Sequence, residues 1–142
     1  MSGFVLDASV ALAWCFADEA TDETTALLDR LEREGAHVPS LWHLEVANAV
    51  AISGRKRRLS PARAAEFTAL IEALPILVDE ETPGRALREI LDLARHERLT
   101  AYDAAYLELA MRKGLPMATR DDDLCGAAQR VGVTLLLASR GS

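Results

Sequence analysis

Short apolar runs alternate along this chain with amphipathic stretches of helical period, and that alternation leaves few folds open. The runs are Gly3–Leu6, Ala36–Val38, Ile76–Val78, Met117–Thr119 and Val133–Leu137. Each is too short for a buried helix, so each reads as a strand. Helices are expected between them. One covers Val10–Phe16, and a second covers Asp22–Glu34 with Leu27, Leu28 and Leu31 on one face and Gly35 as its stop. A third runs from an N-cap at Ser40 to about Ser53, stopped by Gly54. Ser60-Pro61 opens a fourth, with Ala65, Leu70, Ile71 and Leu74 as its apolar stripe and Pro75 as its end. Thr82-Pro83 opens a fifth, ending near Leu99. Thr100 caps Ala101–Lys113, which Gly114 stops, and Asp123–Arg130 ends at Gly132. Strands and helices taking turns predict one α/β domain. Its central sheet is mostly parallel, with about five short strands flanked by helices. The domain spans 1–137, and 138–142 is a flexible tail.

A chain of 142 residues buries enough surface to fold without a disulfide or metal staple. Cys15 and Cys125 stand far apart with no Cys-x-x-Cys pair, which excludes a zinc ribbon or thioredoxin site and leaves two core-packing thiols. The N-terminus lacks a basic signal region. The uncharged run Ala8–Ala17 is far shorter than the ~20 residues a membrane span needs. A cytoplasmic protein without a membrane partner is expected. Sixteen bases against twenty-two acids give a net charge of −6, which disfavours holding nucleic acid by bulk electrostatics. It leaves open an enzyme that brings cations to a phosphate. The bases are also clustered: Arg55, Lys56, Arg57 and Arg58 follow one another. They read either as a solvated, dipole-favoured helix end or as a contact for a nucleic-acid backbone or an acidic partner.

The informative residues are acids among apolar neighbours. Asp7 is the only charge between Met1 and Ala17, and Glu45 the only one between Pro39 and Gly54. Asp103 lies in Thr-Ala-Tyr-Asp-Ala-Ala-Tyr, and Asp121, Asp122 and Asp123 follow a strand. Each has an ordinary reading. Asp7 or Asp121 caps a helix, Glu45 faces solvent over a buried Leu41-Leu44-Ala47-Ala51 stripe, and Asp103 joins Thr100 in a capping box. Together they have another. In a parallel sheet, ligands bind beyond the carboxyl ends of the strands, and all four elements can point there. Converging carboxylates repel unless a cation joins them, and a set of oxygens without histidine or cysteine favours Mg²⁺ or Mn²⁺ over zinc. His37, His43 and His96 are scattered and read as structural or surface residues. Trp14 and Trp42 read as packing or interface residues.

In this order the motifs resemble a PIN-domain ribonuclease, and more narrowly the VapC-like toxins of bacterial toxin–antitoxin pairs. Val-Leu-Asp-Ala-Ser (Val5–Ser9), Leu-Glu-Val-Ala-Asn-Ala (Leu44–Ala49), Leu-Thr-Ala-Tyr-Asp-Ala-Ala-Tyr (Leu99–Tyr106) and Ala-Thr-Arg-Asp-Asp-Asp-Leu (Ala118–Leu124) carry the likeness across nearly the whole chain. The resemblance implies that Asp7, Glu45, Asp103 and Asp121 are the catalytic, metal-binding acids. It implies Ser9 and Thr119 as hydroxyls lining the site. Asn48, one helical turn after Glu45, would hold that acid or a bound water. Which of Asp121, Asp122 and Asp123 takes the fourth position stays open, as does whether Asp123 is only a cap. The implied activity is Mg²⁺-dependent hydrolysis of RNA, with Mn²⁺ able to substitute. The implied partners are the RNA, a VapB-like antitoxin and a second copy of the chain. Two other readings stand beside it. One is a non-catalytic module of the same fold that binds RNA or protein. The other is an Asp-dependent phosphatase or phosphotransfer domain, though Asp7-Ala-Ser lacks the second Asp of the haloacid-dehalogenase pattern.

Overall fold

A computed structural model describes residues 2–137; the tail expected at 138–142 lies outside them. The chain runs β1 (Phe4–Leu6), α1 (Ala8–Cys15), a 3₁₀ turn (Ala17–Glu19), α2 (Asp22–Glu34), β2 (Ala36–Pro39), α3 (Trp42–Arg55), α4 (Pro61–Ala73) and β3 (Ile76–Asp79). It continues through α5 (Thr82–Arg85), a π-helical turn (Ala86–Ile90), α6 (Leu91–Glu97), α7 (Ala101–Lys113), β4 (Met117–Ala118) and α8 (Asp122–Val131). The four strands form one parallel sheet in the order β3-β2-β1-β4. No helix among the described residues is long and apolar enough to cross a membrane.

β1 is central, and Phe4, Val5 and Leu6 are all wholly buried, as a strand covered on both faces requires. Leu31, Val38, Trp42, Leu107, Leu109 and Met117 pack around it in one core. Gly35 makes the entry to β2 possible. Its φ is +80°, and an added Cβ would stand 3.3 Å from the Pro75 carbonyl. Because every strand is parallel, every strand ends at one edge. Asp7 follows β1 there, Thr119 follows β4, and α1, α3 and α8 begin there.

Several expectations need correction. The fifth strand reduces to one parallel bridge between Leu135 and Met117. β4 has only two residues to offer, since the chain turns after Ala118 to seat the Thr119 hydroxyl on Asp7. Ser40 does not cap α3. Its amide is drawn to the Thr82 hydroxyl, Leu41 takes the boundary position in helical conformation, and the helix passes through Gly54 to Arg55. The Leu41-Leu44-Ala47-Ala51 stripe is not the buried face: Leu44 is 74% exposed, and Trp42, Val46 and Ser53 face inward instead. On α4, Phe67 joins Ile71 as the buried pair, while Ala65 is exposed. The helix expected from Thr82 to Leu99 is broken by the π turn and closes at Arg98, whose φ is +56°. The wide turn leaves Leu87 at the surface and turns Ile90 and Ala94 toward Ala104 and Ala105 of α7.

Candidate functional site

Asp7 opens α1, yet its carboxylate makes no capping bond. Instead its Oδ2 accepts hydrogen bonds from Thr119 Oγ1 at 2.6 Å and Ser9 Oγ at 2.7 Å. Both hydroxyls are oriented in turn by backbone amides. Arg120 N–H donates to Ser9 Oγ and Asp121 N–H to Thr119 Oγ1, each at 3.0 Å. Two amides thus fix two hydroxyls, and two hydroxyls fix one carboxylate oxygen. The capping reading of Asp7 is thereby displaced.

Asp121 does cap α8, accepting from Leu124 N–H through Oδ1 at 2.9 Å. Thr100 caps α7 through the Asp103 amide, but the Asp103 carboxylate does not return the bond among the described residues, so no capping box forms. The four acids act on one another. Burial pushes the Asp7 carboxyl above its ordinary range, against the pull of Thr119 and Ser9, and Asp121 adds to the push. Burial also raises Glu45, against the Tyr106 hydrogen bond, with Asp7 adding to it. Asp103 is pushed up to about 6 by burial and by the charges of Asp121, Asp7, Glu45 and Asp123. Arg120, next to Asp121 in sequence, pairs with Glu19 at 3.0 Å. The structure therefore gathers Asp7, Glu45, Asp103 and Asp121 at one edge of the sheet. Asp122 and Asp123 stand exposed at the start of α8.

The donor set is oxygen throughout. Cys125 lies nearby, but it is buried and its Sγ contacts the Thr119 carbonyl. Among the described residues no three acid, histidine or cysteine side chains form a ready-made metal cage. Oxygen donors alone suit a small, hard cation and do not suit zinc. The set fits Mg²⁺ or Mn²⁺ on charge and on chemistry.

Two expected contributors stand elsewhere. Asn48 is exposed and makes no hydrogen bond to Glu45 among the described residues. The residue that does hold Glu45 is Tyr106, whose hydroxyl donates to Glu45 Oε1. A tyrosine in an apolar helix reads as core, so its sequence gave no sign beyond its place one turn after Asp103. Of the basic run, Arg58 is committed. It pairs with Glu19 at 2.6 Å and Asp18 at 3.3 Å and lies over the Phe16 ring. Arg55, Lys56 and Arg57 remain exposed, with Arg55 ten residues and so ~15 Å along α3 from Glu45.

The PIN domain family model matches residues 4–129, a span that contains all four acidic motifs. Among solved structures, the chain is similar to PAE2754 from Pyrobaculum aerophilum at 24% identity and a TM-score of 0.68, over 95% of this chain and 91% of that one. It is similar to FitAcB from Neisseria gonorrhoeae at 21% identity and a TM-score of 0.63, over 93% of this chain and 95% of that one. At these identities the likeness speaks to the fold. Comparison with curated proteins gives no match.

Proposed function

This chain belongs to the PIN-domain family, whose members are generally nucleases, and on that premise we propose that it is a Mg²⁺-dependent endoribonuclease acting as the toxin of a VapBC-type pair. The observation that carries the proposal is the gathering of Asp7, Glu45, Asp103 and Asp121 at the carboxyl edge of the sheet, where their hydrogen-bond partners hold three of them in place. Four carboxylates crowded at the ligand-binding edge of a parallel sheet, with Arg120 committed to Glu19, are arranged to receive a cation.

Asp7, Glu45, Asp103 and Asp121 would hold the ion, with Mn²⁺ able to replace Mg²⁺. When bound, it polarises the phosphate and makes an attacking water more acidic. The protein's own groups do the positioning. Ser9 and Thr119 aim Asp7, the Leu124 amide aims Asp121, and Tyr106 holds Glu45. The N-termini of α1, α3 and α8 bring the positive ends of their dipoles to the same edge, which favours an incoming phosphate. Arg55, Lys56 and Arg57 would meet the RNA backbone some nucleotides away. No side chain serves as nucleophile. A VapB-like antitoxin would silence the site by placing a basic side chain among the acids. Homodimerisation and a cytoplasmic setting complete the reading.

End-group chemistry tests it. Fragments from a Mg²⁺ reaction should carry 5′-phosphates and 3′-hydroxyls, and so accept a 5′ adapter without prior phosphorylation. Fragments ending in 2′,3′-cyclic phosphate would show that the RNA's own 2′-hydroxyl is the nucleophile and would overturn the hydrolytic mechanism.

A further inference from the structure

We propose that Tyr106 is a positioning residue that presents Glu45 to the cation, an assignment that rests on the nuclease reading above. Tyr106 is wholly buried and follows Asp103 by three residues, so α7 delivers an acid and a phenol from one face. The phenol O–H donates to Glu45 Oε1 across 61 residues of sequence, tying α7 to α3.

The bond belongs to a pattern. Asp7 commits Oδ2 to two hydroxyls, Asp121 commits Oδ1 to the Leu124 amide, and Glu45 commits Oε1 to Tyr106. Each of these carboxylates has one oxygen pinned by the protein. The other oxygen, Asp7 Oδ1, Asp121 Oδ2 or Glu45 Oε2, has no side-chain donor among the described residues, although the Ala8 amide also acts on the Asp7 carboxylate. Pinning matters most for Glu45, because glutamate has one more rotatable bond than aspartate and this one is only half-buried. Among the described residues the phenol is the one hydrogen-bond donor seen on the Glu45 side chain, which shares its electrostatic surroundings with Asp7 and Asp103. Groups that orient a metal's ligands typically govern 10–100-fold in metal affinity.

The test titrates Mn²⁺ into the full chain, reading free Mn²⁺ by electron paramagnetic resonance. It compares wild type, Tyr106→Phe, Glu45→Ala and the double variant, with Tyr102→Phe as a control from the exposed side of α7. Circular dichroism confirms the fold of each at the temperature used. Y106F should weaken Mn²⁺ binding about tenfold or more, and Y102F should leave it unchanged. In the E45A background, Y106F should cost nothing further, since its effect passes through Glu45. Wild-type affinity in Y106F, or an equal loss in both backgrounds, overturns the assignment while leaving the nuclease reading in place. A folded wild-type protein that binds no Mn²⁺ overturns both.

Discussion

Single residues show which acids the chain was built around. Asp103 has a folded pKa raised to about 6 from 3.8, so its contribution to stability is whole below pH 3.8 and is lost as the pH rises through about 6. Asp103→Asn removes that loss. In chelator at pH 7.5 the variant should melt several degrees above wild type, and the two should converge near pH 4. Thermal melts at both values check it, and a lower melting temperature for the variant at pH 7.5 would contradict the strain at the site. The same proton competes with a cation, so Mn²⁺ affinity of the wild type should fall as the pH drops below about 6. At this scale the convergence of the four acids was legible in the sequence, because a charge among apolar neighbours is costly and needs a reason. Tyr106 was not legible, because a tyrosine between Ala105 and Leu107 satisfies the core whether or not its hydroxyl has a task. Asn48 is exposed and makes no hydrogen bond to Glu45 among the described residues, so the spacing alone did not reveal which residue holds that acid.

Among the elements, α3 and α7 carry the weight. The inward face of α3 is set by Trp42, wholly buried, with Leu44 turned out. Trp42→Ala should cost about 3–5 kcal/mol and Leu44→Lys less than about 0.5 kcal/mol in urea unfolding. The reverse ranking would place the helix in the register the sequence first suggested. That register failed because leucine and alanine at positions 41, 44, 47 and 51 form as good a stripe on paper as the one used. The choice is made by a tryptophan that fits only one side. At its far end α7 is anchored by Arg112, which bridges Asp79 on β3 at 2.6 Å and Glu108 on its own helix at 2.9 Å. Burial alone would raise the Asp79 carboxyl, but the Arg112 hydrogen bonds and charge outweigh it and hold it below the usual range. Arg112→Leu strips the buried Asp79 of its arginine partner, leaving Glu108 only the more distant Arg85, and should cost about 3 kcal/mol at neutral pH. The loss should shrink on acidification, as Asp79 takes up a proton. Helix starts whose capping residues stood out in the sequence, at Ser60 and Thr100, were readable to the residue. The π turn was not, since the periodicity around it suits an unbroken helix and the extra residue answers to the packing of Ile90 and Ala94 on α7.

The whole molecule is a parallel sheet whose carboxyl edge concentrates negative charge that its neighbours do not cancel. Alternating strands and helices were enough to foresee the parallel sheet and the edge where a ligand belongs. The missing part was the end of the sheet. Val133–Leu137 is apolar enough for a strand but finds only two residues of β4 beside it. A protein so arranged stores repulsion where the four acids meet, and Mg²⁺ or Mn²⁺ should raise its melting temperature more at pH 7.5 than at pH 5.5. The most direct measurement is cleavage of a labelled total-RNA pool by purified, partner-free protein. It needs four arms: Mg²⁺, Mn²⁺, chelator, and Asp7→Ala with Mg²⁺. Discrete cleavage with either ion, lost in chelator and in the variant, is the expected result. Cleavage that persists in chelator or in Asp7→Ala would contradict a catalytic site made of these four acids.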